Sequence, residues 1–313
     1  MESTIKIIRK SIHTFLQHYN YFTTISILSL PFSISILVST TFLSNTYSYS
    51  IHARLHSLFD AAGFPMESEF YSILNLKLSQ TITSSILVLP FTLSFLLITK
   101  TFIIQFLKTN YKIAPSLSGI FNSILHTQIW NTLVIISANA TCFWVLFIAF
   151  NCLANLHIPS LLFTITGGIM YSIVIANVLI ICNLALILSG IESSGGVISL
   201  LKACVMLRGR TSIALGLSLP VNMALAGVEA LFHFRVIKNY YNSGMNRPTS
   251  TMVLEGLFIG YLYSILITLD TIIGCVFFKS CKIVYDQNIV DQEKGLIIED
   301  DVVLLKCLEK NLS

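Results

Sequence analysis

The sequence predicts an all-α fold, a polytopic membrane helical bundle of six transmembrane helices with the N and C termini cytosolic. Three observations carry the prediction. Hydrophobic residues make up 54% of the 313 and charged residues only 11%, whereas about a quarter of a soluble domain is charged. The apolar residues fall in continuous runs near 22–43, 82–107, 129–152, 161–188, 212–233 and 254–278, each long enough for the roughly 20 residues that cross a hydrocarbon core of about 30 Å. Lipid offers no partner to an unpaired backbone amide, so such runs form helices, and they lack the alternation of a membrane barrel. The basic residues are also distributed unevenly about those runs, which sets the orientation.

Lys6, Arg9 and Lys10 precede the first run, Lys100, Lys108 and Lys112 are counted with the loop after the second, and Lys202, Arg208 and Arg210 lie in the loop after the fourth. Lys279, Lys282, Lys294, Lys306 and Lys310 follow the last. The opposite side holds Arg54, Lys77, Arg235, Lys238 and Arg247, and the third loop holds none. The positive-inside rule therefore places both termini in the cytosol, as an even number of spans requires. The chain then divides into a cytosolic amphipathic helix over 1–21, a bundle over 22–278 and a cytosolic tail over 279–313.

Within 1–21, Ile5, Ile8, Ile12, Phe15 and Tyr19 share one helical face, and Lys6, Arg9, Lys10, His13 and Gln17 the other. That pattern predicts an interfacial helix whose basic face meets anionic lipids of the cytosolic leaflet. The first run is too long for a cleaved leader and ends without a small-x-small site, so it reads as an uncleaved anchor. The loop over 44–81 carries two amphipathic stretches, around 51–59 and 70–78, separated by Gly63 and Pro65. Residues 26–37 of the first run and 85–96 of the second are identical at 8 of 12 positions. We read this echo as shared apolar composition, because a duplicated transporter would pair the first span with the fourth. Both segments, and the fifth run at Pro220, carry a mid-membrane proline that removes a backbone donor.

Ionisable side chains at membrane depth are the best functional pointers, because each costs about 2.5 kcal/mol or more on insertion scales. Asp270 lies nine residues before Lys279, roughly 13 Å inside the end of its helix. It shares a face with the small residues Gly256, Gly260 and Gly274, which allow another helix close approach. In the fifth run Ser218, Asn222, Glu229 and His233 fall near one angle and form a polar stripe. In the fourth, Gly168 and Asn183 fall on one face and suggest a helix seam. These side chains serve either as a transport path or as hydrogen-bonded packing between helices.

Other chemistry is excluded by pattern. Seven cysteines show no paired spacing, so neither a disulfide framework nor a zinc ribbon is expected. His52, His56 and Asp60 repeat at helical spacing, but a polar face on an interfacial helix accounts for them, so no metal and no cofactor is expected. No phosphate loop, dinucleotide fingerprint or nucleophile elbow occurs, so no catalytic residues and no enzyme are expected. The sparse basic residues lack the aromatic interleaving of a nucleic-acid surface. In the tail, Asp300, Leu304 and Leu305 have the form of an acidic dileucine sorting signal that adaptor proteins read, which suits a protein of the endomembrane system or plasma membrane.

The fourth loop, residues 191–210, combines Glu192, Gly195, an amphipathic helix with Val197, Leu200, Leu201, Cys204 and Leu207 on its apolar face, and Arg208-Gly209-Arg210. With Ile129-Trp130-Asn131 at the start of the third run, it resembles a plant family of uncharacterised six-span membrane proteins. The Ser193-Ser194 pair and Cys204 depart from that family's pattern. The resemblance implies topology and plant origin but carries no activity. Two functions fit the sequence. One is a bundle that organises or traffics membrane components through its amphipathic segments. The other is a small-solute or ion transporter or channel using Asp270 and the Glu229 stripe.

Overall fold

The computed structural model describes residues 4–41, 48–61, 69–108, 117–154, 160–193, 195–242 and 250–312. Among them every element is helical and no strand occurs. The elements are α1 (Thr4–Gln17), α2 (Tyr19–Thr41), α3 (Ser48–Ala61), α4 (Glu69–Phe91), α5 (Leu97–Lys108), α6 (Leu117–Ala154), α7 (Ser160–Glu192), α8 (Val197–Leu207), α9 (Thr211–Phe232), α10 (Lys238–Asn242) and α11 (Ser250–Leu312). A π-helical turn, Thr92–Leu96, joins α4 to α5, and a second, His233–Ile237, joins α9 to α10.

Among the described residues, six helices are long and apolar enough to cross a membrane: Tyr19–Ser39, Leu78–Lys108, Leu117–Leu146, Ile165–Glu192, Thr211–Tyr240 and Ser250–Ile283. The third begins well before the expected residue 129. Asn122, His126 and Gln128 lower the hydropathy there, yet Ile120, Ile124 and Thr127 on the opposite side are fully buried against the bundle. Past Ile283 the backbone of α11 continues helically to Leu312, so the segment expected as a separate tail extends the sixth helix. The side chains of Asp300, Leu304 and Leu305 lie outside the described residues.

The core is organised around α11, which packs on α2, α9, α1, α5 and α7. Over an 18-residue apolar stretch of each, 6% of the third span is buried inside the fold, against 44% of the fourth, so α6 is peripheral and rests on α7 and α5. Burying apolar surface gives little preference between lipid and protein inside a bilayer, so helix pairs are selected by close packing and hydrogen bonds. Both operate between α2 and α11. The Ser26 and Thr268 hydroxyls lie 2.9 Å apart, those of Ser29 and Ser264 2.5 Å apart, and Ser264 also donates to the Ser26 carbonyl. Beyond this ladder, a Cβ on Gly260 would stand 3.0 Å from Ile34. The matching positions of the echo in the second span show why it is not a structural repeat. Ser29 corresponds to Val88, which is buried in an apolar cluster with Phe32, Leu37 and Tyr263.

The remaining glycines divide. A Cβ on Gly256 would meet Phe232 at 3.6 Å, and one on Gly274 would collide with Ile187 at 2.4 Å. Among the described residues nothing lies within 4 Å of the Gly168 Cβ position, so no seam forms there, and the close approach is at Gly167, 3.0 Å from Leu146. Gly168 points away from α6 because adjacent residues on a helix are about 100° apart.

Helix α1 turns a different face inward from the one its pattern suggests. Ile7, Ser11 and Phe15 are buried, while Ile5, Ile12, Leu16 and Tyr19 are exposed. Ser11 can be buried because its hydroxyl donates to the Ile7 carbonyl at 2.9 Å, and Phe15 stacks on Phe22 with ring centroids 5.8 Å apart. The helix therefore docks on α11 and α9 and keeps a second apolar edge outside. In α8 the buried set is Ser199, Leu200, Ala203, Met206 and Leu207, leaving Val197, Leu201 and Cys204 exposed.

Gly260→Val is expected to destabilise the bundle by about 1–3 kcal/mol through overpacking against Ile34, while Gly168→Val stays near neutral. Thermal unfolding of the two variants in detergent checks this, through a lowered melting temperature for the first alone.

Candidate functional site

Lys100, which the charge pattern assigns to a loop, lies inside the bundle, only 8% exposed. Its helix prepares the position. Pro90 cannot donate to the preceding turn, the π-helical turn Thr92–Leu96 follows it, and hydroxyls from Thr92, Ser94, Thr99 and Thr101 donate to carbonyls of the preceding turn at 2.7–3.0 Å. Thr99 and Thr101 can therefore flank Lys100 in a buried position without needing partners from other helices.

The ammonium of Lys100 donates to Oδ1 of Asn183 at 3.0 Å, and Nδ2 of Asn183 donates to Oδ2 of Asp270 at 3.3 Å. One amide thus bridges a cation on α5 to a carboxylate on α11, using its acceptor for one and its donor for the other. Nearer the helix ends, Lys279 donates to the Leu107 carbonyl at 3.1 Å, which fixes α5 and α11 side by side. The cluster lies about 10–13 Å from that contact by helix rise, well inside the apolar span.

Beside the cluster is a cavity of about 50 Å³ between α7, α9 and α11, lined by Asn183, Ser218, Asp270, Gly274 and apolar neighbours including Leu217 and Phe277. It is large enough to admit water. Lys100 is not among its lining residues, so Asp270 faces the space while Lys100 stands behind Asn183. Ser218, whose hydroxyl donates to the Leu215 carbonyl at 3.1 Å, keeps lone pairs available to the cavity.

The rest of the polar stripe separates. Glu229 Oε1 accepts from the Tyr263 hydroxyl at 3.1 Å, forming a second polar layer about 10 Å along α11 from Asp270. Asn222 and His233 are exposed. Offsets of 4 and 15 residues from Ser218 carry them about 40° and 60° around the helix, whereas the offset of 11 to Glu229 carries it only about 20°. The cavity reaches neither Glu229 nor Asn222.

At the end of the bundle that holds α8, Glu192 accepts from Lys202 at 2.5 Å and lies 4.0 Å from Lys282, tying α8 to α7 and α11. Gly196 has φ +81°, and a Cβ there would stand 2.7 Å from the His126 ring. Its amide donates to Thr127 Oγ1 at 2.9 Å. Glycine is required on both counts. Among the described residues, no group of three or more His, Cys, Asp and Glu side chains is placed to hold a metal ion.

Of the residues singled out from sequence, Asp270, Asn183, Ser218 and Gly274 come together at one cavity, and Glu229 joins a separate pair. Lys100 was missed, although it lies eight residues inside the last basic residue of its helix, Lys108. A helix register extended through that lysine would have revealed it.

An all-helical chain with six helices long and apolar enough to span a membrane has the build of a multi-pass membrane protein. It belongs to the family described as Domain of unknown function (DUF8558), which matches residues 2–297. No curated protein and no solved structure matches it.

Lys100→Met and Asp270→Leu each leave a buried charge without its counterpart, and each is expected to cost about 3–5 kcal/mol. The double variant recovers part of that loss. A double-mutant cycle of unfolding in detergent checks the coupling, and strictly additive losses would contradict the arrangement.

Proposed function

We propose that this protein translocates a small cation across its membrane, with Asp270 as the group that receives it. The observation that carries the reading is the asymmetry of the buried cluster, in which the carboxylate and the Ser218 hydroxyl face the cavity while the ammonium stands behind Asn183. A wall of acceptors suits a cation. When the cavity is empty Lys100 supplies the positive charge that Asp270 needs, and a cation that enters takes over that role at short range, where Coulomb attraction in a poorly screened site is strongest. Glu229 with Tyr263 supplies a second polar step along the same pair of helices.

The cytosolic orientation of both termini and the likeness to a plant family of six-span proteins belong to this proposal. The first rests on the basic residues of α1, the 202–210 segment and the tail, the second on Glu192, Gly195 and Arg208-Gly209-Arg210. A second reading, organisation or trafficking of membrane components in the endomembrane system or plasma membrane, has its own support. Ile5 and Leu16 on α1, and Ile198, Leu201 and Val205 on α8, form exposed apolar edges next to Lys6, Arg9 and Arg208. Anionic lipids would meet these helices, and adaptor proteins would read the tail at Asp300, Leu304 and Leu305.

Reconstitution in liposomes tests the first reading. Wild-type protein is expected to dissipate an imposed proton, sodium or potassium gradient faster than empty liposomes, and Asp270→Asn to lower that rate at least about tenfold, as loss of a charged contact worth about 1.4 kcal/mol or more does. Wild-type rates equal to those of empty liposomes for all three ions would refute it.

A further inference from the structure

Helix α9 buries Ala214, Leu217, Val221 and Phe232 and exposes Leu215, Leu219, Asn222, Met223, Ala226 and Ala230 along its other side. Asn222 lies three to four residues from the middle of the Thr211–Tyr240 span, about 5 Å by helix rise. Among the described residues it has no hydrogen-bond partner. Four other asparagines deeper in the spans do: Asn131 donates to the Cys182 carbonyl at 2.8 Å, Asn139 to Ile135 at 2.9 Å, Asn177 to Ile173 at 3.0 Å, and Asn183 to Asp270, while Asn20 and Asn122, exposed near the ends of their spans, share its lack of a partner. An amide directed at hydrocarbon has no solvent to satisfy it.

We infer that this face of α9 is the interface of a homodimer, in which Asn222 of one copy pairs with Asn222 of the other. The occupant follows from symmetry and chemistry. Two copies inserted in the same direction are related by an axis along the membrane normal, so their α9 helices meet in parallel with each residue at its twin's depth. The carboxamide carries both a donor and an acceptor and is complementary to itself. A twin at the same depth therefore supplies what Asn222 lacks. Ala226 and Ala230, one and two turns on and exposed, let two backbones approach closely, as membrane helix pairs require. The exposed Leu215, Leu219 and Met223 complete an apolar border. The interface is separate from the cavity at Asp270 and does not depend on the transport reading.

Subunit counting by single-molecule photobleaching, with the full-length protein in bilayers at increasing lipid dilution, tests the inference. Wild type is expected to dissociate from dimer to monomer. Asn222→Leu is expected to raise the dissociation constant about 3- to 30-fold, the range of a single interhelical polar contact, while Asn222→Gln retains most of the affinity. Ala226→Ile should weaken the dimer by obstructing approach without touching the amide. Both positions are exposed, so the fold tolerates the changes. A wild type that is monomeric at every dilution, or a dimer that Asn222→Leu and Ala226→Ile leave unchanged, overturns the inference. So does satisfaction of Asn222 by a co-purifying lipid or a different protein.

Discussion

Lys100 and Asp270 can occupy the interior of an apolar bundle only because Asn183 stands between them and replaces the water that each has lost. The amide accepts from the ammonium and donates to the carboxylate, and either contact fails if its helix shifts by a fraction of a turn. Three helices are thereby held in one relative rotation. An ion pair alone would attract over many geometries, whereas a bridging amide demands that distance and direction be correct at both ends.

The other contacts of the bundle are arranged around that demand. α11 carries Asp270 toward α5 and α7, and the same helix presents Ser264 and Thr268 to α2 and Tyr263 to α9. Its glycines admit Ile34 and Ile187 where side chains would hold the helices apart. The small cavity is a consequence. With Gly274 and Ala214 on two of its walls, the three helices leave a gap at the level where a carboxylate faces inward.

The fold class was legible in the sequence because length and apolarity are properties of single segments, and the bilayer fixes both. Asp270, Asn183 and the glycine face of α11 were legible for a related reason, since a residue that is costly in lipid must point into protein. What the sequence hid is relational. Lys100 resembled a boundary residue because positive charges normally end spans, and its contact with Asn183 shows what it does there. The stripe on α9 seemed single because four residues share an approximate angle, yet neighbours on just one side of that angle decide that Glu229 meets Tyr263 while Asn222 finds no hydrogen-bond partner among the described residues. For α1 and α8 the hydrophobic pattern was broad enough to fit two inner faces, and packing of Phe15 on Phe22, or of Ala203 and Met206 in the core, selected one.

The π-helical turn between Pro90 and Lys100 gives the second span an unusual sensitivity to length. Such a turn accommodates one residue more than an α-helix of equal rise, and everything after it is rotated by about 100° relative to an uninterrupted helix. The azimuth of Lys100 is therefore encoded by how many residues separate it from Pro90 as much as by which residues they are. Along this stretch an insertion or deletion of a single codon would turn the ammonium toward the bilayer, whereas most changes of side chain would leave it facing Asn183. Variation in this segment should consequently run through substitution at constant spacing, with gaps confined to the connecting loops.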